Sequence, residues 1–371
     1  MTPSDQTQLR VGVVGAGRYA RTVVVPVLDA LDGVVVAAVC DVDPERARSL
    51  AAEFRTALHF GSAAEMLASA HLDAVVVATP PETQYAAAMA ALVAGRHVLC
   101  GSPLTETQTD ARTVRDAASR GGRVLAADYP LAALLLHATR PIQGGAIGAV
   151  TSFDATRLVE GRPWGEWLRG DPGGIVARLG ADVLMVLRRI EPLALGRLSG
   201  ASADTAPDGL VGADGVTLHV HLRNSAHVTG AIRLAWGDAI PTARLRLMLA
   251  GENGTLDVEL VSRDNGARLM TTLAVHGRDP VIREHSASPS VGFRIVAANW
   301  AAAIRHGEKA LFPPLHAISV RALLDQVRPR LVGGLHHGPT VGERPDEPLG
   351  WLAGGPFRIG VAGAGRYARE M

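Results

Sequence analysis

Lysine is nearly absent from this sequence. Among 37 basic residues in a chain of 371, Lys309 is the single lysine and all the others are arginine. A mechanism that needs a lysine amine must therefore use Lys309. Cysteine is also scarce, since only Cys40 and Cys100 occur and each ends an apolar run. We expect two buried packing residues rather than a disulfide, which fits a reducing cytoplasm.

Net charge and long apolar stretches are limited as well. The formal net charge of +1 predicts no nucleic-acid partner and no binding to an anionic membrane surface. No apolar run is long enough to span a bilayer, and the polar residues 1–10 lack the apolar segment of a signal peptide. The content of 47% hydrophobic and 20% charged residues instead predicts a cytoplasmic globular protein, for which this length favours two domains.

A glycine-rich motif is the strongest signal that the sequence does contain. Residues 11–20 read VGVVGAGRYA, a β-branched run followed by G-x-G-x-x-A. In this pattern Gly15 permits a tight turn, Gly17 lets the backbone approach a pyrophosphate, and Ala20 allows close contact between helix and strand. The predicted dinucleotide contacts in this motif are Gly15, Ala16, Gly17, Arg18 and Tyr19.

An acidic residue follows at the spacing that a ribose-binding carboxylate requires. Asp41 directly follows the next apolar run, which ends at Cys40. Its distance from the glycines is close to the roughly 20-residue spacing expected of a ribose-binding carboxylate. Its negative charge would repel a 2′-phosphate, so the sequence favours NAD over NADP as cofactor. Asp41 and Asp43 can also cap a helix that begins at Pro44, and the two interpretations are compatible.

Apolar runs alternate with helical patterns in the first third of the chain. Strands are predicted over 10–14, 34–40, 74–78, 97–99 and 123–126, and helices over 20–31, 44–53, 63–70, 83–94 and 106–120. Valine-rich strands without polar alternation are typical of a parallel sheet covered on both faces. We therefore predict the α/β fold class, with a doubly wound Rossmann domain over residues 1–126 and ligands at the carboxyl ends of its strands.

The pattern changes after this first domain. From residue 216 it is mostly β, with alternating runs such as 216–222 that predict an antiparallel sheet with one buried face. Helices are predicted over 293–305 and 317–332. Residues 127–332 are thus interpreted as a second α/β domain with an open-faced, mostly antiparallel sheet, and 333–356 as a Gly- and Pro-rich linker.

The glycine motif returns at the end of the chain. Residues 358–371 match residues 10–23 at ten of fourteen positions. A strand and one helical turn cannot bury their own apolar face. We interpret residues 357–371 as the truncated start of a second Rossmann unit in a tandem duplication. The alternative is an extra strand that pairs with a sheet edge, for example in another copy of the chain.

Several segments together resemble one enzyme superfamily. They are GAG over 15–17, CDVDPERA over 40–47, ATPP over 78–81, GRHVLC over 95–100, GAIGAV over 145–150, and Gly173-Gly174. From about residue 10 to residue 332 the chain resembles the glucose–fructose oxidoreductase, inositol dehydrogenase and MocA-like (Gfo/Idh/MocA) superfamily.

The resemblance implies both an architecture and an activity. It implies a Rossmann domain, a second domain whose open sheet serves as substrate wall and homo-oligomer interface, and hydride transfer between a nicotinamide and a sugar, cyclitol, diol or imine. It adds four residues to the predicted cofactor contacts, namely Thr79, Pro80, Pro81 and Gly101.

The chain departs from this superfamily at the positions that carry acid–base chemistry. Members usually have Glu-Lys-Pro where this sequence has Gly101-Ser102-Pro103. An aspartate and a histidine are usual where Arg178 and Asp182 stand, and Gln84 replaces another histidine. Because hydride transfer to a carbonyl creates an alkoxide, a proton donor must lie within hydrogen-bond reach. The candidate catalytic residues are Asp182, Tyr129 and Ser102, the last by holding a water molecule.

Two further residues are predicted to line a substrate pocket, and no metal site is predicted. Arg178 and Asp182 are spaced i,i+4 and would share one helix face, either as a structural ion pair or with Arg178 binding a ligand carboxylate or phosphate. In the second case Asp182 would act as the base. Trp164 is predicted to wall the pocket, or else to pack in the core.

Two functions from different classes remain open from the sequence. The first is an NAD(P)-dependent oxidoreductase with altered acid–base residues and a small-molecule substrate. The second is a catalytically degenerate nucleotide-binding module that acts as a scaffold, a sensor or a partner of an active paralogue. The terminal repeat favours the second somewhat, since duplication lets one copy lose its chemistry.

Overall fold

The computed structural model describes residues 8–332 except 55, 57, 161–178, 190–197, 203–213, 222–227, 238–239, 241 and 264–265. It contains a parallel sheet and a mainly antiparallel sheet, both covered by helices. The predicted α/β fold class is therefore confirmed. Within these ranges no helix is both long and apolar enough to cross a bilayer. The predictions for 333–356 and 357–371 lie outside the described residues.

Six parallel strands form the first sheet. They are β1 (Leu9–Val14), β2 (Val34–Cys40), β3 (Leu58–Phe60), β4 (Ala74–Val77), β5 (His97–Gly101) and β6 (Leu125–Asp128). The strand order β3-β2-β1-β4-β5-β6 reverses between β1 and β4, which opens a crevice at their carboxyl ends. The core strands β1, β2 and β4 are almost wholly buried, as helices on both faces of a parallel sheet require.

Helices connect these strands and begin at capping residues. They are α1 (Val25–Asp29), α2 (Pro44–Glu53), α3 (Ala63–Ser69), α4 (Pro81–Val93) and α5 (Gln108–Arg120). Asp43, Ser62 and Thr107 cap α2, α3 and α5 by accepting hydrogen bonds from first-turn amides. A π-helical segment, Ala20–Val24, precedes α1 where one α-helix is predicted. Pro26 has no amide hydrogen to donate to the carbonyl four residues earlier, which explains the change of register.

Eight strands form the second sheet. They are β7 (Val150–Glu160), β8 (Leu198–Ser202), β9 (Asp214–His221), β10 (Thr229–Gly237), β11 (Arg244–Gly251), β12 (Gly254–Arg263), β13 (Gly266–Val275) and β14 (Val281–Ala287). Their order is β14-β13-β12-β11-β7-β10-β9-β8, and only β7 and β10 run parallel to each other. Residues of β11 alternate between exposed and buried, so one face packs on the core and the other is open.

Five more helices are described alongside this second sheet. They are α6 (Pro130–Ala138), α7 (Arg140–Gln143), α8 (Ala181–Arg189), α9 (Pro289–His306) and α10 (Pro314–Val332). Cys40 and Cys100 are free and buried, as predicted. The predicted domain boundary after residue 126 stays a prediction, and the last strand of the first sheet continues to Asp128.

The sequence patterns miss β3, β8 and β14 and place β6 two residues too early. All three missed strands lie at the edges of their sheets. An edge strand pairs on one side only, so it is often short or charged. β3 has three residues, and β14 carries Arg283 and Glu284 in its centre.

A close contact joins α6 and α9, two helices of the second domain that are far apart in the sequence. A Cβ atom at Gly292 in the first turn of α9 would lie 2.1 Å from the carbonyl oxygen of Pro130, the first residue of α6. Phe293 and Trp300 on α9 are fully buried beside this contact. The absence of a side chain at residue 292 therefore sets the distance between the two helices.

We expect Gly292→Ala to lower the free energy of unfolding by about 1–3 kcal/mol, because the added methyl group must push α9 away from α6. Gly144→Ala is a matched control, since a Cβ there would meet nothing described nearer than the Pro141 carbonyl oxygen at 3.5 Å. Chemical denaturation followed by circular dichroism compares the two variants. Equal stabilities would show that the contact is not tight.

Candidate active site

Loops that follow β1, β4, β5 and β6 meet at the carboxyl edge of the first sheet. These four strands are neighbours in the sheet and run parallel. Carboxyl ends of parallel strands share one edge, so residues distant in sequence come together there. The edge gathers eight of the predicted site residues: Gly15, Ala16, Gly17, Thr79, Pro80, Pro81, Gly101 and Ser102.

The glycine-rich turn has the backbone that the motif predicts. Gly15 has a φ of 100°, and a Cβ there would lie 2.8 Å from the Ala78 carbonyl oxygen. Its amide donates to the Cys40 carbonyl at 2.8 Å. A Cβ on Gly17, in contrast, would meet no described atom within 4 Å. The turn is thus closed against the sheet at Gly15 and open outward at Gly17, where a ligand can approach the backbone.

Asp41 ties this turn to the end of β2. Its Oδ2 accepts a hydrogen bond from the Ala16 amide at 2.7 Å, and its Oδ1 accepts from the Asp43 amide at 2.9 Å. Each carboxylate oxygen can accept a second hydrogen bond, so both leave capacity for a ribose hydroxyl. Asp43, rather than Asp41, caps α2 through the Glu45 amide at 3.0 Å. Arg18 is exposed on the turn, and its carbonyl accepts from Thr22.

The loop after β4 contributes two buried polar atoms to the edge. Gln84 donates to the Thr79 carbonyl at 3.0 Å. The Thr79 Oγ1 and the Gln84 Oε1 are buried, and neither has a hydrogen-bond partner among the described residues. A Cβ on Gly101, the last residue of β5, would lie 2.7 Å from the Gln84 Nε2, so the glycine gives the Gln84 side chain room at this edge. Pro80 and Pro81 are at the start of α4, with Pro80 exposed.

A tyrosine–aspartate pair lies behind the glycine-rich turn. Tyr19 donates from its hydroxyl to the Asp128 Oδ2 at 2.7 Å, and its ring packs edge-on against Phe293. The sequence analysis assigns Tyr19 to the coenzyme site and gives Asp128 no role. The sequence signal that could have identified Asp128 is its position as an acidic residue at the end of the last parallel strand.

Burial dominates the electrostatics of this pair. Asp128 is 4% exposed, and burial raises its pKa to about 7. The hydrogen bond from Tyr19 acts in the lowering direction, whereas the negative charge of Asp182 acts in the raising direction. Burial also raises the pKa of the Tyr19 hydroxyl well above its usual value, and the nearby Asp128 charge adds to this. Near pH 7 the aspartate is therefore the member of the pair that changes charge.

Asp182, a predicted catalytic residue, is buried in an ion pair. Its Oδ1 accepts from the Ala132 amide near the start of α6 at 3.1 Å, and its Oδ2 lies 3.2 Å from an Arg157 guanidinium nitrogen. Burial raises the pKa of Asp182, and the positive charge of Arg157 opposes that effect. The same guanidinium nitrogen donates to the Leu179 carbonyl at 2.8 Å. The sequence analysis misses Arg157, which lies on β7.

The other predicted catalytic residues differ in their surroundings. Tyr129 is fully buried, and its ring packs against Phe312 with the centroids 5.5 Å apart. Its hydroxyl has no hydrogen-bond partner among the described residues, and burial raises its pKa. Ser102 is partly exposed at the carboxyl edge. The predicted pocket residues Arg178 and Trp164 lie outside the described residues.

The residues at this edge fit a bound dinucleotide. The open side of Gly17 leaves room for a pyrophosphate, and Asp41 has acceptor capacity for ribose hydroxyls. The buried Thr79 Oγ1 and Gln84 Oε1, unpartnered within the described chain, are polar groups that a ligand at the edge could satisfy. The individual cofactor contacts stay predictions.

Comparison with known proteins agrees with this geometry over the first domain. Residues 9–129 match the family described as "Oxidoreductase family, NAD-binding Rossmann fold". Residues 9–129 form a Gfo/Idh/MocA family domain. Inositol 2-dehydrogenase 1 of Saccharopolyspora erythraea is 38% identical to this chain over 123 residues, which are 33% of this chain and 36% of that protein. The chain spans about a third of the length of this relative.

Two further similarities extend beyond the first domain. The 1,5-anhydro-D-fructose reductase of Ensifer adhaerens is 30% identical over 220 residues, 55% of this chain and 64% of that protein. A solved 3-ketoreductase from Actinomadura kijaniata, in complex with TDP-benzene and NADP, superimposes with a TM-score of 0.70 at 22% identity. The match covers 87% of this chain and 98% of that one, and at this identity it shows a shared fold.

Asp128→Asn should stabilise the protein more at alkaline than at acidic pH. The pKa of Asp128 is about 7 when folded against an ordinary value of 3.8, so the folded state binds the extra proton. The free energy of unfolding therefore falls as the pH rises from about 3.8 to about 7, and it stays low at higher pH. The upper bound of this fall is about 1.4 kcal/mol per unit of pKa difference. Asparagine removes that loss and keeps an acceptor for Tyr19.

Thermal unfolding at about pH 5 and about pH 8 measures this effect. The difference in Tm between Asp128→Asn and the parent protein should be more positive at the higher pH. Asp116→Asn is the control, since the Asp116 side chain is 47% exposed and forms a surface ion pair with Arg115. A Tm difference for Asp128→Asn that does not change with pH would contradict the account.

Proposed function

We propose that the chain is an NAD(P)-dependent oxidoreductase that transfers a hydride between a nicotinamide and a sugar-, cyclitol- or imine-like small molecule. The observation that carries this proposal is the glycine-rich turn, closed at Gly15, open at Gly17 and joined to Asp41. The family of residues 9–129 supports it. The relatives named above act on inositol and on anhydrofructose, which supports a polyol or sugar substrate.

The chain's own residues divide the work of binding the coenzyme. The Gly17 amide would face the pyrophosphate, because the Gly15 and Ala16 amides already donate to the Cys40 carbonyl and to the Asp41 carboxylate. Asp41 would accept hydrogen bonds from the adenosine ribose. The bound coenzyme would supply or accept the hydride. The carboxylate of Asp41 disfavours a 2′-phosphate, so we propose NAD rather than NADP, although the similar 3-ketoreductase was solved with NADP.

One group of observations favours the second function, a degenerate nucleotide-binding module. Ser102 stands where the resemblance places a lysine, and the Asp182 carboxylate already contacts Arg157 and the Ala132 amide. Such a module would bind the coenzyme without turning it over. Coenzyme binding and turnover therefore have to be measured separately.

Substitution of Gly17 tests the coenzyme site without disturbing the fold. Gly17→Ala should weaken NADH binding by roughly tenfold or more, because the methyl group fills the space that a pyrophosphate needs. The Tm should stay unchanged, since the methyl group meets no described atom within 4 Å. Fluorescence titration with NADH measures the affinity, and the same titration with NADPH should show weaker binding to the parent protein.

Gly61→Ala is the matched control, because a Cβ there also meets no described atom within 4 Å and lies outside the glycine-rich turn. Parent protein should then be screened for coenzyme reduction by polyols and cyclitols, and for NADH oxidation by ketoses and cyclic imines. Tight binding with no turnover would favour the degenerate module. Absence of NADH and NADPH binding would contradict both functions.

We also propose a homo-oligomer that forms through the open face of the second sheet. Its charged side chains are paired within the chain, for example Asp154 with Arg233 at 2.6 Å and Arg246 with Asp257 at 2.5 Å. Paired charges together with the exposed Met248 and Met270 can be buried against an identical face without leaving net charge.

Light scattering should therefore give at least the mass of a dimer, and Met248→Asp should lower the measured mass. A monomer at micromolar concentration would contradict this.

A further inference from the structure

The carboxyl group of Asp128 carries a burial cost that its structural contacts do not explain. Its Oδ2 accepts from Tyr19, but its Oδ1 is buried without a hydrogen-bond partner in the described part of the chain. Burial of an ionisable group with one oxygen unpartnered is costly. Such arrangements concentrate at functional sites. At the same position, an ordinary core would hold an apolar residue or a carboxyl group with both oxygens hydrogen-bonded.

The position of Asp128 is at the candidate active site. Asp128 is the register partner of Gly101 on the neighbouring strand, and Gly101 directly precedes Ser102. Its partner Tyr19 belongs to the turn between β1 and the π-helical segment. One carboxyl group thus contacts the glycine-rich turn and lies beside the loop after β5.

The other acid–base candidates are less suited to exchange a proton. Both Asp182 oxygens are engaged, one by the Ala132 amide and one by Arg157. Tyr129 is enclosed against Phe312, and burial moves the pKa of its hydroxyl further from neutrality. A serine hydroxyl such as that of Ser102 does not deliver a proton readily near pH 7.

We propose that Asp128 is the group that exchanges a proton with the reacting oxygen of the substrate through its Oδ1, and that Tyr19 is its positioning residue. The inference rests on the proposed oxidoreductase function. It assigns Tyr19 a second role beside the coenzyme contact predicted from the motif.

The proton and electron balance is that of an alcohol oxidation. The substrate O–H bond breaks and its proton forms a new O–H bond on Asp128, while the carbon loses a hydrogen with both electrons as the hydride that the nicotinamide accepts. The carbon–oxygen single bond becomes a carbonyl, so two electrons and two hydrogens leave the substrate. Reduction runs the same exchange backward, with protonated Asp128 as the acid.

The charged and titratable groups around Asp128 allow it to change charge near neutral pH. Tyr19 from the turn after β1 donates its hydrogen bond to Asp128, and Cys100 on β5 interacts with it electrostatically. Burial raises the pKa of each, so both are neutral near pH 7. The third titratable group near Asp128 is Asp182 from α8, whose negative charge forms an ion pair with Arg157. The pKa of about 7 for Asp128 agrees with its use as either acid or base.

A pH profile of Asp128→Asn tests the assignment, with Asp182→Asn as the comparison. For alcohol oxidation at saturating coenzyme, kcat of the parent should rise with pH through about 7. Asp128→Asn should lower kcat by roughly 10²-fold and remove this rise. Asp182→Asn should retain the rise, because the variant still contains the Asp128–Tyr19 pair, but the rise should move to lower pH because the negative charge of Asp182 raises the Asp128 pKa.

A titration that needs no turnover provides the second readout. Carbon-13 NMR of coenzyme-free protein with labelled aspartate reports the Asp128 carboxyl, assigned by its absence in Asp128→Asn. Tyr19→Phe should move this titration, and the rise in kcat, to higher pH, because it removes the hydrogen bond that stabilises the carboxylate.

The outcomes separate this inference from the proposed function. A pH rise that persists in Asp128→Asn with kcat near the parent value overturns the inference and leaves the oxidoreductase intact. A carboxyl that titrates near the ordinary value of about 3.9, or is unmoved by Tyr19→Phe, also overturns it. A parent protein that turns over no substrate overturns both the inference about Asp128 and the proposed oxidoreductase function. The screen of the parent protein shows this result before any variant is compared.

Discussion

The hydrogen bond from the Ala16 amide to the Asp41 carboxylate is the contact on which the candidate site depends. It joins the turn after β1 to the end of β2 at 2.7 Å and holds the turn with its outer side free. The same turn is pressed against β4, since Gly15 leaves no room for a Cβ beside the Ala78 carbonyl. Three strands thus fix one short segment of backbone in a shape suited to an anion.

Close packing at the junction of the two halves determines the protonation chemistry behind that turn. The glycine at position 292 lets α9 approach α6, and Phe293 on the same helix covers the ring of Tyr19. Asp128 and Asp182 are both buried in the same structure. The second aspartate is compensated by Arg157, but the first is held by one neutral hydroxyl. This difference in partners separates a structural carboxyl from one that can exchange a proton.

Local spacing is enough to predict the shape of the glycine-rich turn and the position of Asp41 beside it. The turn and Asp41 follow from a strand–glycine–helix pattern, and parallel β-α alternation places them at one edge of the sheet. The pairs Arg157–Asp182 and Tyr19–Asp128 join residues 25 and 109 positions apart, and no periodicity connects them. Asp182 was predicted to share a helix face with Arg178, whereas its described partner comes from a strand of the second sheet. Such contacts depend on tertiary packing between elements that are distant in the sequence.

A structure of the full chain crystallised with NADH tests the central claim most directly. The account predicts the pyrophosphate over the open side of Gly17, the adenosine ribose within hydrogen-bond reach of Asp41, and the nicotinamide on the side of Ser102 and Asp128. A glycine-rich turn that stays empty at saturating NADH, or a coenzyme bound elsewhere on the chain, would contradict it.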